Sequence, residues 1–160
     1  MKSLNNWLLV LSVLSCFGCS SPVHEDDRGC AFVSDSIQYR VEFMSAGCVR
    51  ILSFPEGDTL VTRRLVVDSE KPAFKDYKWE DTGQKLLFRT RELSVVFDKA
   101  DVAFTFQETS TGKLLLKEKG DRKARNFKRS VAGGEQCLEV TQRFVPTEDE
   151  AIYGLGQYQN

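Results

Sequence analysis

A strict alternation of apolar and polar residues limits the possible folds of this chain more than any other feature of its sequence. In SIQYRVEF (residues 36–43), one side of the pattern carries the apolar residues Ile37, Tyr39, Val41 and Phe43. Because successive side chains of a β-strand point to opposite faces, this period of two predicts a strand with one buried face. Beyond the N-terminal segment, no window of a dozen residues shows the 3.6-residue apolar period of an amphipathic helix. The sequence therefore predicts an all-β chain.

Further segments rich in β-branched and aromatic residues extend this pattern along the chain. They are CVRILSF (48–54), LLFRT (86–90), LSVVF (93–97), VAFTF (102–106) and CLEVTQRFV (137–145). Gly, Pro and Asp residues mark turns between them, and connections this short join antiparallel strands, because parallel strands need crossovers of about a dozen residues or more. One apolar face per strand then predicts two sheets packed face to face. We expect an antiparallel β-sandwich whose core contains most of the 11 Phe residues.

Charge and residue types exclude several functions. The chain carries 22 basic and 23 acidic residues, so no net field attracts nucleic acid. The locally basic stretch at residues 117–129 is predicted to be an exposed, solvated loop. The single histidine, His24, argues against a His-based catalytic triad within these residues. His24 is followed by three acidic residues, for which a solvated linker is a simpler explanation than a metal site. We predict neither a metal nor a cofactor.

The first 19 residues predict an export signal with a site for lipid attachment. An apolar run, WLLVLSVL (7–14), follows one lysine and is too short to span a bilayer. The residues that follow resemble a bacterial lipobox, in which Cys16 is the expected attachment site and Cys19 the alternative. We expect an exported lipoprotein, at the periplasmic or outer cell surface, that contacts the membrane only through its lipid. Residues 20–29 are predicted to be a polar tether, and residues 30–160 the sandwich domain.

Two aromatic residues, Tyr77 and Trp79, are less readily assigned to a core. They lie in KDYKWED (75–81), among charged residues. Such rings can stack against the faces of sugar rings, but an aromatic pair across a hairpin is the commoner explanation. We therefore predict that they pack within a hairpin.

The last 19 residues of the sequence resemble a known family. QRFVPTEDEAIYGLGQYQN (142–160) is similar to the end of the N-terminal β-sandwich of family 31 glycoside hydrolases, where Glu-x-x-Tyr/Phe-Gly-Leu-Gly-Gln/Glu follows a strand ending in Phe. Residues 93–118 resemble the paired strands that precede this motif in the family. The resemblance implies a galactose-mutarotase-like supersandwich, incomplete at its C-terminal end, that precedes a catalytic (β/α)₈ barrel.

This resemblance also implies a function in carbohydrate metabolism. It suggests the carbohydrate-binding or support domain of a retaining α-glycosidase, an α-xylosidase or α-glucosidase, acting on an α-linked glucan or xylosyl oligosaccharide. The two catalytic Asp residues of such enzymes belong to the barrel, so no catalytic residue is assigned here and we expect these 160 residues to be inactive without that partner. Gln157 and Tyr158 are the candidate sugar-facing residues. A glycan-binding module and a structural surface lipoprotein remain alternatives, and unpaired strand edges predict marginal stability.

Overall fold

The computed structural model describes residues 23–58, 74–120 and 125–147. Within these ranges the chain forms eleven strands and no helix, which confirms the all-β prediction, and it contains no helix that could cross a membrane. The candidate residues Cys16, Cys19, Gln157 and Tyr158 lie outside the described residues. The strands are β1 His24–Glu25, β2 Cys30–Ser34, β3 Ile37–Ser45, β4 Cys48–Pro55, β5 Lys78–Asp81, β6 Lys85–Arg89, β7 Leu93–Asp98, β8 Ala103–Glu108, β9 Leu114–Lys117, β10 Arg125–Ala132 and β11 Glu135–Gln142.

The strands form two large antiparallel sheets and a separate hairpin. One sheet has the order β1-β2-β3-β4, the other has the order β5-β6-β7-β8-β9, and β10 pairs with β11. Because each strand pairs with its neighbour in sequence, short turns suffice for most connections. After β11 the chain returns to the second sheet, where the Val145 N–H donates to the Lys117 carbonyl at 2.8 Å and the Lys119 N–H donates to the Arg143 carbonyl at 3.0 Å. Residues 143–145 therefore lie along the outer side of β9.

The two large sheets face each other across one aromatic core, as the sandwich prediction requires. Phe32 and Tyr39 of the first sheet approach Phe97 of the second with ring-centroid distances of 4.8 and 5.1 Å. Tyr39 also meets Phe104 edge-on at 5.8 Å. These distances lie in the range that aromatic pairs prefer, and all four side chains are buried. The predicted core role of the Phe-rich strand faces is confirmed.

A glycine allows β1 to lie close to the rest of its sheet. Gly29 has a φ of +155°, and a Cβ atom built on it would lie 2.1 Å from the backbone oxygen of Val41. Just before it, Asp26 forms a compact turn, since its carboxylate accepts hydrogen bonds from the N–H groups of Arg28 and Gly29 at 2.8 and 3.2 Å. Any side chain at position 29 would collide with backbone that cannot move without disturbing β3.

The structure differs from the predicted tether over residues 23–29. His24 and Glu25 pair with Ala31 and Cys30 as an edge strand, and Val23 packs against the core. Two acidic side chains of this stretch, Glu25 and Asp26, bind polar partners from other parts of the fold. Asp26, for example, forms an ion pair with Arg40 of β3. Local composition cannot show such distant partners.

The structure also differs from the loop predicted at residues 117–129. Residues from Arg125 onward belong to β10, which pairs over eight residues with β11 in continuous register. Exposed basic side chains are compatible with this strand because the hairpin lies outside the two large sheets. Lys128, for example, is well exposed and points toward Glu139 at 4.0 Å.

Candidate functional site

Glu25 joins the two large sheets at their shared edge. Its carboxylate accepts a hydrogen bond from the Tyr77 hydroxyl and another from the Trp79 indole N–H, both at 2.9 Å. Glu25 lies on β1 and Trp79 on β5, the first strands of the two sheets. We call Glu25, Tyr77 and Trp79 the edge clamp. The hydrogen bonds from Trp79 and then Tyr77 hold the pKa of Glu25 below its usual range because they stabilise the ionised carboxylate.

The two aromatic residues of the edge clamp pack within the fold. The Tyr77 ring stacks on Phe43 of the opposite sheet with centroids 5.0 Å apart, and Trp79 lies opposite Phe88 in the β5–β6 register. Both rings pack against the core. The predicted aromatic pair across a hairpin is thus confirmed for Trp79, and the contacts favour a packing role over a sugar-stacking platform.

Cys30 lies beneath the edge clamp. Its sulfur lies 3.7 Å from the Tyr77 hydroxyl, and burial raises the pKa of the Cys30 thiol to about 11. Burial, followed by the hydrogen bond to Cys30, also raises the pKa of Tyr77. The three cysteines among the described residues are free thiols, with Cys48 and Cys137 exposed. Neither Cys30 nor Tyr77 is ionised near neutral pH, so this corner of the site does not supply a nucleophile.

A chain of alternating charges continues from the edge clamp across the outer face of the first sheet. Arg40 forms an ion pair with Asp26 and also donates to Glu42 at 3.0 Å, and Glu42 in turn meets Arg50 at 2.5 Å. Burial acts to raise the pKa of Asp26, but the hydrogen bonds from Arg40 and from backbone N–H groups outweigh it and leave the pKa lowered. Each of these four charged side chains therefore lies beside a side chain of opposite charge. Within the described ranges no group of three or more His, Cys, Asp or Glu residues could hold a metal ion.

We expect the edge clamp to make stability depend on acid pH. Since the pKa of Glu25 is lowered on folding, its stabilising contribution is complete above the unfolded pKa near 4.5 and is lost as pH falls through the lower folded value. Replacing Glu25 by Gln should therefore lower the free energy of unfolding at pH 7 and have less effect near pH 3. The loss should be about 1 kcal/mol or less, because solvent screens exposed groups.

Urea unfolding of the wild type and Glu25→Gln at both pH values measures this dependence. Glu80→Gln is the matched control, since Glu80 is an exposed carboxylate on the same strand as Trp79. An equal loss of stability at pH 7 and pH 3 for Glu25→Gln would contradict the assigned role.

A buried carboxylate fixes the base of the β10–β11 hairpin. Glu118 is 5% exposed, and its side chain accepts hydrogen bonds from the Phe104 N–H at 2.9 Å and the Gln142 amide at 2.6 Å. Phe104 belongs to β8 and Gln142 to β11, so one carboxylate connects the second sheet to the hairpin. The backbone of Glu118 forms a bridge with Phe144 at the same point. The hairpin is therefore held to the sandwich at its open end.

One face of this hairpin carries apolar side chains, several of them exposed, beside polar residues such as Arg129 and Gln142. Cross-strand pairing places Phe127 opposite Val140 and Arg129 opposite Leu138, and paired residues share a face. Val131, two residues beyond Arg129 on β10, lies on this face too and is 72% exposed, while Val140 is 57% and Leu138 40% exposed. We call the side chains of Phe127, Val131, Leu138 and Val140 the overhanging face. At the hairpin base, Leu115, Phe144 and Val145 are exposed as well.

The buried carboxylates of the described residues have partners within the fold. The two buried carboxylates, Glu42 and Glu118, are each engaged in ion pairs or hydrogen bonds. The edge clamp, the role of Glu118 and the overhanging face were not predicted from the sequence. The alternation of apolar residues at 138 and 140 was the available signal for that face, but alternation does not show whether another sheet covers it.

Comparisons with known proteins reveal relatives of this chain. Residues 38–159 match the glycosyl hydrolase 31 N-terminal galactose mutarotase-like domain. An alpha-xylosidase from Saccharolobus solfataricus is 30% identical over 129 residues, which cover 77% of this chain and 16% of that protein. The crystal structure of the GH31 alpha-xylosidase from Xanthomonas citri superposes with a TM-score of 0.67 and 26% identity, over 86% of this chain and 15% of that one.

A second solved structure shares the fold. The GH31 alpha-xylosidase from a soil metagenome, solved in complex with xylose, superposes with a TM-score of 0.63 and 22% identity over 88% of this chain and 23% of that one. The chain thus spans less than a quarter of the length of each of these three proteins.

Proposed function

Because this chain belongs to the family of glycosyl hydrolase 31 N-terminal galactose mutarotase-like domains, we propose that it is the support domain of a retaining α-glycosidase of the α-xylosidase type. The observation that carries this proposal is the superposition of nearly the whole sandwich on a GH31 alpha-xylosidase. A support role for the sandwich is consistent with its buried carboxylates, Glu42 and Glu118, because both bind partners within the fold. Both catalytic carboxylates are assigned to a barrel beyond residue 160, where a retaining enzyme holds them about 5–5.5 Å apart.

The proposed substrate class is an α-linked xylosyl oligosaccharide, with an α-linked glucan as the second possibility. The names of the relatives favour the xylosyl group. Gln157 and Tyr158 stay the candidate sugar-facing residues of this chain. A purely glycan-binding module receives no support from Tyr77 and Trp79, because their rings pack against the core and their polar atoms bind Glu25.

The test begins with the DNA that follows the codon for Asn160. We expect it to encode, in this frame or a shifted one, a barrel with two candidate catalytic Asp residues. The 160-residue chain should not hydrolyse p-nitrophenyl α-xyloside, whereas the polypeptide extended through the barrel should. Hydrolysis of the α-glucoside instead would overturn the substrate assignment, and an extended polypeptide that hydrolyses neither would overturn the function.

We also propose that the protein is exported and held at a bacterial membrane by a lipid on Cys16, with Cys19 as the alternative. The apolar run at residues 7–14 and the lipobox-like residues after it support this proposal. Palmitate labelling in a bacterial host should persist in Cys19→Ser and disappear in Cys16→Ser. Labelling that persists in Cys16→Ser would show that the lipid is attached to Cys19 instead.

A further inference from the structure

We propose that the outer face of the second sheet carries a binding site for a carboxylate, and that its ligand is an acidic sugar residue of an oligosaccharide. The site is a row of four side chains that cross-strand pairing places side by side: Lys78 of β5, Arg89 of β6, Ser94 of β7 and Gln107 of β8. We call them the polar row. The choice of a sugar as the carrier of the carboxylate rests on the proposed function, whereas the anion site does not.

The polar row faces away from the core. The residues that alternate with its members along the four strands belong to the core or pack against it: Trp79, Phe88, Val95 and Phe106. Because successive side chains of a strand point to opposite faces, the row lies on the outer face of the sheet. Three strand spacings, about 14 Å, separate its two ends, so an extended ligand can contact all four strands.

Two like charges stand directly opposite each other in the polar row. Lys78 and Arg89 are cross-strand partners, and both are exposed. Like charges at opposed positions destabilise a sheet. Positions that break such a local rule are expected at functional sites. An anion bound between the two cations would offset their repulsion.

The protein itself does not neutralise this pair. Across residues 23–58, 74–120 and 125–147, no acidic side chain forms an ion pair with Lys78 or Arg89, although Glu80 lies on the same face of β5. By contrast, Lys85, four residues before Arg89 on β6, pairs with Asp98 at 3.3 Å. The two cations of the polar row are therefore available to an external anion.

The remaining members of the row supply neutral hydrogen-bonding groups. Ser94 is 8% exposed although it lies on the outer face, so its short side chain is recessed between those of Arg89 and Gln107. A guanidinium presents its donors in a planar fork that matches the two oxygens of a carboxylate. A hydroxyl and an amide beside it can donate to and accept from the hydroxyl groups of a sugar ring.

The composition of the row favours an acidic sugar over a lipid surface. Segments that bind anionic lipids typically cluster about four to eight Lys or Arg residues, whereas the row has two cations. Its other members, Ser94 and Gln107, are polar, so they would not insert among lipid chains as the apolar face of a membrane-binding segment does. The proposed enzyme acts on oligosaccharides, in which uronic acid residues carry a carboxylate.

Calorimetric titration of the 160-residue chain with tri-galacturonic acid tests the proposal. We expect saturable binding that weakens as salt is added, because salt screens exposed charges. Arg89→Gln should lower the affinity at least about tenfold, since hydrogen bonds to charged groups contribute that much. Lys85→Gln is the matched control, because it removes the same charge from the same strand and face, and it should bind like the wild type.

Lys78→Glu separates binding from stability. The substitution replaces the like-charge pair by an opposite-charge pair with Arg89, so the midpoint of urea unfolding should rise while the affinity for tri-galacturonic acid falls at least about tenfold. An unchanged affinity in this variant would overturn the site. A lower midpoint would contradict the repulsion on which the proposal rests. Circular dichroism of each variant checks that the sandwich stays folded.

The outcomes also separate this proposal from the proposed function. Equal binding of tri-galacturonic acid and neutral xylotriose would overturn carboxylate recognition, and binding of neither would overturn the site. Binding to phosphatidylglycerol vesicles alone would assign the row to a membrane surface instead. In these three cases hydrolysis by the extended polypeptide would still support the glycosidase. Selective binding of tri-galacturonic acid without such hydrolysis would support the site and overturn the proposed function.

Discussion

Replacing Phe97 by alanine is expected to lower the free energy of unfolding by about 3–5 kcal/mol. Phe97 is fully buried at the centre of the core, where its ring lies 4.8 Å from Phe32, 5.1 Å from Tyr39 and 4.9 Å from Phe104. Removing the ring leaves a cavity between the sheets that rigid aromatic neighbours cannot fill. A domain of this size has a total stability of about 5–15 kcal/mol, so this one change removes a large part of it.

Urea unfolding followed by far-ultraviolet circular dichroism measures this loss. Val96→Ala is the control, since Val96 is the adjacent residue of β7, half-buried on the other face of the sheet. Its loss should be clearly smaller. Equal losses for the two variants would show that Phe97 does not hold the centre of the core.

Replacing Gly29 by alanine is the second change with a large expected effect. The added Cβ would lie 2.1 Å from the Val41 oxygen and 3.2 Å from the Glu42 Cα, and both are backbone atoms of β3. Either β1 and its turn must leave the sheet or β3 must move, and moving β3 disturbs the buried Tyr39. We expect the loss of stability to exceed the common range of about 0.5–3 kcal/mol for single substitutions.

Gly57→Ala separates this collision from backbone strain. Gly57 has a φ of +87°, but a Cβ there would meet no atom within 4 Å. Its loss should therefore reflect conformational strain, about 1–2 kcal/mol. Thermal unfolding of both variants makes the comparison, and a loss for Gly29→Ala no larger than that for Gly57→Ala would refute the proposed close contact.

Strands with one buried face were predictable from the sequence. The β7 strand was predicted at residues 93–97 and observed at Leu93–Asp98, because Val95 and Phe97 alternate with residues of the outer face. Residues 23–29 were not predictable. Glu25 finds Tyr77 and Trp79 at separations of 52 and 54 residues, and no local pattern in an acidic stretch indicates partners so far away.

The candidate site was less accessible to sequence reasoning than the fold. Val131 and Val140 have the residue types of a strand, but exposure depends on whether another sheet lies opposite, which is a property of the tertiary structure. Glu118 lies in a basic stretch, yet it is buried because Phe104 and Gln142 supply donors for both of its oxygens. The sugar-facing roles of Gln157 and Tyr158, and the marginal stability of these 160 residues, stay predictions.

The path of the backbone has a mechanical consequence. The described chain starts at β1, which the edge clamp fixes beside β5, whereas residues 143–145 run along the outer side of β9. Four strand spacings separate β5 from β9, a width of about 19 Å. A force between the proposed lipid attachment before residue 23 and the proposed barrel after residue 147 would therefore cross the full width of the sheet. The sandwich would act as a rigid spacer that holds the two attachments apart.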